Sequence, residues 1–450
     1  MDIPLFGGVF AHGIGGQKDL PISLGLTIAG AVAALTVSFT VLAIAWRTPR
    51  YDAATSGRVA PAPIARVVDS TAFGFLARLI GFAVFALAVF SAVLGKDTLI
   101  NPFFGIFYVW WWVGLVPLSL LLGPVWRAIS PVRTINLLFA KVSGSDPEEG
   151  VFTYPERWGH WPAAVGLFAF VWMELVFPYS TELGPVRLWC AVYVGLMLLG
   201  GALYGNTFYE RADPFEVYST LVSKLSIWGR REGVLVVRSP LANLDTVPVR
   251  AGLVGVVSVL FGSTAFDSFK DSSTWIVFVQ TNTFVIDHGL GPLLLNNLAL
   301  LAFCAGVGAI LAAGTMLTGV GPELRRRDLP NQFAHSVVPI VVGYVFAHYL
   351  TYLLELGQDT LIRASDPLSD GSNLFGTGDW SVHYFFASSP TALAAVKVLS
   401  VVIGHVLGVI AAHDRAIRLL PKQHQLVGQL PLLVAMIAFT VGGLTLLFAS

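Results

Sequence analysis

Charge is scarce in this sequence, and so is cysteine. Only 12% of its 450 residues are Asp, Glu, Lys or Arg, against 55% hydrophobic. With a mean hydropathy of +0.73, that balance lies far outside soluble domains and excludes a water-soluble enzyme or binding module. The two cysteines, Cys190 and Cys304, provide neither a disulfide framework nor a Cys-x-x-Cys motif. Both fall in apolar stretches, where a thiol serves as a small apolar side chain. No Walker A loop is present, which excludes an ATP-driven motor subunit, and there is no HExxH zinc motif. The His12-Gly13-Ile14-Gly15-Gly16 run matches the oxyanion loop of some esterases, but no G-x-S-x-G elbow accompanies it. Nothing points to a nucleic-acid partner. The start also lacks the basic residues and short apolar core of a signal peptide, so residues 1–21 are expected to stay as a short translocated tail.

What the chain has instead is long apolar runs. About ten of them reach membrane-spanning length, at 22–45, 73–95, 103–122, 161–178, 186–204, 249–266, 293–319, 335–354, 391–412 and 427–449. The zero net charge averages two unequal faces: 20 of the 27 Lys and Arg fall in or at the edges of the gaps after the odd-numbered runs, and five fall on the other side, Arg250 and Arg187 being counted at the run ends they adjoin. Basic loops stay in the cytoplasm, which puts both termini outside. The expected fold class is therefore all-α, a polytopic integral membrane helical bundle forming one transmembrane domain over 1–450, with the lipid bilayer as its first partner.

Little chain remains for soluble structure. Within 205–248, Asp213-Pro214-Phe215-Glu216 is an N-cap followed by Pro at the first helical position. It predicts a cytoplasmic helix to about Trp228 lying at headgroup level, then a hairpin from Val234–Val237 and the segment around Thr246-Val247. Trp126 to Lys141 should also lie along that interface. Tyr108, Trp110, Trp111 and Trp112 cluster within the third run, where packing between helices explains them. The extracytoplasmic loops are expected at 267–292 and 355–390.

A titratable side chain inside hydrocarbon is costly and marks a candidate site. Glu174, His348, Glu355, Lys397 and His405 qualify. His348, Tyr352 and Glu355 share one helix face at i, i+4 and i+7, and Lys397 shares a face with His405. An ion pair of Glu174 or Glu355 with Lys397 is the structural alternative. In the outer segments, His12 and His288 sit in glycine-rich turns, and His383 follows Asp359, Asp366, Asp370 and Asp379. With His348, the imidazoles His12, His288 and His383 are candidate ligands for a divalent metal, zinc or copper, that activates water. His348 and Glu355 are the candidate bases, and Lys397 would stabilise developing negative charge. Near the cytoplasmic helix ends, His335 and the His413-Asp414 pair fit interface caps.

Four segments carry a family resemblance: Ala11-His12-Gly13-Ile14-Gly15-Gly16-Gln17-Lys18-Asp19-Leu20-Pro21; Gly123-Pro124-Val125-Trp126-Arg127 with Ser130-Pro131-Val132-Arg133; Gly262-Ser263-Thr264-Ala265-Phe266-Asp267; and Phe333-Ala334-His335-Ser336-Val337-Val338-Pro339 running on to Ala347-His348-Tyr349. Together they resemble bacterial polytopic membrane proteins of the fenitrothion hydrolase-like type. The resemblance implies a place in the bacterial cytoplasmic membrane and hydrolysis of organophosphate triesters, and it assigns no catalytic residues. The leading expectation is a membrane-embedded hydrolase of hydrophobic phosphoesters with its site open to the extracytoplasmic side. The alternatives are a proton-coupled transporter or metal-handling permease for a hydrophobic small molecule or an ion, and a scaffold subunit of a membrane complex.

Overall fold

The protein's structure, a computed structural model, describes residues 17–288 and 291–448. Helix dominates because backbone N–H and C=O groups in a bilayer find no water and must bond within their own segment. In chain order the principal helices are α1 (Leu24–Ala45), α2 (Thr71–Leu94), α3 (Pro102–Val113), α4 (Leu115–Leu122), α5 (Val125–Ile129), α6 (Pro131–Ser143), α7 (Trp161–Leu175), α8 (Leu183–Tyr204), α9 (Asn206–Ala212), α10 (Pro214–Ser223), α11 (Leu253–Lys270), α12 (Ser273–Thr281), α13 (Pro292–Met316), α14 (Val338–Arg363), α15 (Pro390–Leu419) and α16 (Leu430–Phe448). Among the described residues, eight helices (α1, α2, α8, α11, α13, α14, α15 and α16) are long and apolar enough to cross a membrane, and the bent pair α3–α4 makes a ninth if it is one span. The apolar α7 is shorter, at 15 residues. Every apolar run of the sequence thus lies on a helix.

Local chemistry sets the boundaries. Ser70 caps α2 by accepting from the Phe73 amide at 3.1 Å. Pro117 breaks α3 from α4, which diverge by 42°: it has no N–H to return to Val113, and its ring crowds that carbonyl. Just before the break the chain is π-helical over Gly105–Val113, and the Gly114 amide bonds the Val109 carbonyl at 2.8 Å.

α11 and α14 form the interior, while α1 and α2 face mostly outward. Where α14 crosses α15, glycine is required: a Cβ at Gly404 would stand 2.5 Å from the Pro339 carbonyl oxygen, and one at Gly343 would stand 2.4 Å from that of Ser400. Small residues let the two backbones touch. At the basic face, Asp414 near the end of α15 accepts from Trp46 Nε1 at 3.1 Å and from the Arg50 amide at 2.7 Å. That cap ties α15 to the chain leaving α1.

Three expectations change. The helix after Asp213 stops at Ser223 and does not reach Trp228, and α10 is buried among α4, α5, α7 and α9. It packs against protein on all sides, where its own Glu216 and Tyr218 find partners in Arg133 and Trp112. The hairpin exists with a different partner strand: β2 (Trp228–Arg231) pairs with β3 (Val234–Val237), and β1 (Arg58–Val59) adds on the other edge. Glu232 and Gly233, with φ of 50° and 81°, supply the left-handed two-residue turn that a tight hairpin needs, whereas Pro240 starts a short helix before Thr246. Helix also extends into the segments expected as outer loops, since α11 runs through Lys270 and α14 through Arg363.

Candidate functional site

The far end of α11 interrupts an apolar helix with Ser263, Thr264, Asp267 and Ser268, all buried. Ser263 and Thr264 satisfy their hydroxyls on the Leu260 carbonyl at 3.4 and 3.0 Å. Asp267 needs partners from elsewhere, and α14 provides them. His348 Nε2 lies 2.9 Å from Asp267 Oδ2, and Tyr349 donates its hydroxyl to the same oxygen at 2.7 Å. One turn on, Lys270 Nζ stands 3.2 Å from Oδ1. Ser268 Oγ is 3.1 Å from His348 Nδ1. A carboxylate only accepts, so Nε2 carries a proton toward Asp267, while the Ser268 hydroxyl stands between His348 Nδ1 and the Thr264 carbonyl, 3.4 Å away.

Glu174, near the end of α7, joins this cluster from the side. Both of its carboxyl oxygens are sealed from solvent, and neither has a hydrogen-bond partner among the described residues. Asp267 and Lys270 lie within electrostatic reach of it, as do Tyr349 and Tyr352. Tyr108 of α3 is a further neighbour, and its hydroxyl donates to the Ser180 carbonyl at 2.7 Å. Four elements, α3, α7, α11 and α14, thus meet around two carboxyl groups, an imidazole and an ammonium.

A cavity of about 40 Å³ lies between α3 and α14, lined by Gly105, Val109, Tyr352, Asp359, Thr360 and Arg363 among others. That is room for a few water molecules. Gly105 is what keeps the helices close there, since a Cβ on it would stand 2.1 Å from Thr360 Oγ1. Trp110 Nε1 fixes the same seam by donating to the Gly357 carbonyl at 3.1 Å. Tyr352 belongs both to the cavity wall and to the surroundings of Glu174 and Asp267.

The sequence-derived candidates divide accordingly. His348 is central, at 5% exposure, and both its ring nitrogens already face protein groups. Glu355, two turns further along α14, is half-buried and makes no hydrogen bond or ion pair among the described residues. Lys397 is buried on α15, with Asp19 within electrostatic reach, and neither Glu174 nor Glu355 pairs with it. His405 Nδ1 turns back to the Val401 carbonyl at 2.8 Å. His383 is exposed, with its backbone held on both sides by the Gln358 side chain. His288 is also exposed and bonds its own helix at the Phe284 carbonyl, 2.9 Å away. His12 lies outside the described residues. Among the described residues no three His, Cys, Asp or Glu side chains gather to hold a metal ion, so His348, His383 and His288 do not assemble into the expected ligand set.

Asp267, Ser268, Lys270 and Tyr349 are the participants that sequence reasoning passed over. Ending the sixth span at 266 left Asp267 one residue outside the hydrocarbon. The signal was the i, i+1, i+4, i+5 spacing of Ser263, Thr264, Asp267 and Ser268, a polar stripe on one face of an apolar helix.

A second buried cluster stands toward the basic loops. Asp213 accepts from Trp126 Nε1, Tyr193 Oη and the Phe215 amide, each at 3.0 Å. Burial foremost, and then the charge of Glu216, push its carboxyl up to about 7. Glu216 itself grips Arg133 with contacts of 2.6 and 2.7 Å, and the guanidinium stacks over Tyr209. This cluster locks α5, α6, α8 and α10 together. No protein-family model, curated protein or solved structure matches the chain.

Proposed function

We propose that this is a multi-pass protein of the bacterial cytoplasmic membrane with about ten spans, termini outside, and basic loops in the cytoplasm. Its Glu174–Asp267–His348 cluster exchanges protons with the outer side, and that exchange drives the movement of an ion or small hydrophobic molecule. The observation that carries the reading is Glu174. A carboxyl group sealed from water with no donor to hold its charge is expensive to keep, and titratable groups inside bundles of this kind mark proton and ion pathways. Beside it, Asp267, His348, Tyr349 and Ser268 form a hydrogen-bonded chain of their own. The water-sized cavity ending at Tyr352 approaches the cluster from the Asp359 and Arg363 side, at the end of α14 remote from Arg325, Arg326 and Arg327.

A pH step applied to reconstituted vesicles on a solid-supported membrane tests this without knowledge of the cargo. Wild type should give a charge displacement that Glu174→Gln and Asp267→Asn abolish. Equal currents in all three would remove the cluster from proton handling.

One observation favours hydrolysis as a second reading. Asp267, His348 and Ser268 have the connectivity of a hydrolase triad, with carboxylate, imidazole and hydroxyl in series, which suits the phosphotriester chemistry that the resemblance implies. Cleavage of a chromogenic aryl phosphotriester by the purified protein, lost in Ser268→Ala and His348→Ala, would support it. Absence of cleavage in wild type would end it.

A further inference from the structure

Outside the buried cluster, one charge on a lipid-facing helix has no protein partner among the described residues. Arg78 lies on α2, a span with only Gly81, Ser91 and Ala92 buried. Its neighbours Phe75, Leu76, Leu79 and Ile80 are more than half exposed, which makes this a lipid-facing surface. Arg78 is exposed as well and makes no hydrogen bond or ion pair among the described residues. It stands seven residues into the helix, about 10 Å along its axis. A guanidinium keeps its charge there, and a charge in hydrocarbon must find a counter-group or reach the interface.

The side chain shows which way it goes. Arg78 Nη1 lies 3.5 Å from where a Cβ on Gly74 would be, so the guanidinium runs back over Gly74 toward Thr71 and the face that carries the basic loops. On the same stripe of α2, Gly81 abuts α5: a Cβ there would stand 1.9 Å from the Ile129 carbonyl oxygen. Gly74, Arg78 and Gly81 therefore border the seam between α2 and the α5–α6 pair. The far wall is α6, an amphipathic helix whose Leu138, Phe139 and Val142 are 53%, 63% and 89% exposed, as suits a helix seated in the interface.

We propose that this seam binds an anionic glycerophospholipid, with Arg78 holding the phosphate and the apolar residues of α2 and α6 accepting the acyl chains. The guanidinium fork matches a phosphate bidentately. Charge complementarity selects a lipid of net negative charge: Arg127 of α5 is already paired with Glu210, whereas Arg78 retains its full charge for the ligand.

Native mass spectrometry and thermal unfolding of the full chain in mild detergent test this with phosphatidylglycerol, phosphatidylcholine and glycerol 3-phosphate as probes. Phosphatidylglycerol should be retained and should raise the melting temperature of wild type. Arg78→Ala should lose most of both effects while melting like wild type without lipid, since Arg78 props no part of the fold, and Arg78→Lys should recover part of them. Equal retention and equal shift in Arg78→Ala would overturn the proposal. Equal effects of phosphatidylcholine would overturn the selection for an anionic lipid, and an equal shift with glycerol 3-phosphate would reassign the seam to free anions.

Discussion

Asp267 and His348 stand 81 residues apart in the chain and 2.9 Å apart in space. Their hydrogen bond cross-braces the two most buried spans, α11 and α14. The same carboxylate also holds the Tyr349 hydroxyl and faces Lys270. One side chain is thus both a brace between helices and the centre of the proposed proton site, and substitutions there should separate the two roles.

Asp267→Ala removes at once the acceptor of a buried imidazole N–H and of a phenol and the carboxylate that faces Lys270. Removing one partner of a buried charge pair costs about 3–5 kcal/mol, so this variant should melt far below wild type in detergent. Asp267→Asn keeps an acceptor oxygen and should lose only about 1–3 kcal/mol, yet it should be as silent as Glu174→Gln in the pH-step assay. Wild-type melting of Asp267→Ala would show that the brace contributes nothing.

Ser268→Ala discriminates between proton exchange and hydrolysis. The hydroxyl orients His348 Nδ1 from 3.1 Å, and its loss should cost about 0.5–1.5 kcal/mol of stability. If the cluster exchanges protons, the pH-driven charge displacement should survive in reduced form, because Asp267 and Glu174 remain. Complete loss of the current in Ser268→Ala would give the hydroxyl an obligatory place that the proton reading does not.

Helix positions were legible in the sequence because a bilayer allows only one way to satisfy the backbone, and apolar length announces it. Glu174 and His348 were legible for the complementary reason that their cost in hydrocarbon is high whatever surrounds them, and the same signal picked out Lys397, which stands apart from them on α15. Partner choice was not. The stripe through His348 and Glu355 predicts one face of α14, but Asp267 approaches from another helix, and nothing local to α14 encodes it. The buried α10 misled for the opposite reason: Phe215, Tyr218 and Val222 look amphipathic beside Lys224, while the Asp213 and Glu216 carboxylates that anchor the helix inward depend on Trp126, Tyr193 and Arg133 from distant segments.

Asp213 should make stability depend on pH. Its carboxyl sits near 7 in the folded protein against an ordinary value of 3.8, chiefly through burial. Between those values the folded state binds the proton more tightly than the unfolded chain does. The stabilisation is therefore full below the lower value and is lost as pH rises through about 7. Asp213→Asn removes this titration while keeping an oxygen for the Phe215 amide. Its melting temperature should fall less than that of wild type between about pH 5 and pH 8, and parallel profiles would show that Asp213 stays ionised throughout.

Two glycines test how tightly α2 and α5 meet at their seam. Gly81→Ala puts a methyl 1.9 Å from the Ile129 carbonyl oxygen, a backbone atom that cannot rotate away, so α2 must move off α5. Overpacking of this kind typically costs about 1–3 kcal/mol. Gly195→Ala on α8 meets nothing within 4 Å, and alanine is the better helix former by up to about 1 kcal/mol, so that variant should melt at or above wild type. The pair shares one chemical change in the middle of an outward-facing span, which cancels any general effect of adding a methyl group. A melting temperature for Gly81→Ala equal to that of Gly195→Ala would mean that α2 floats against its neighbour, and the lipid seam beside Arg78 would lose its wall.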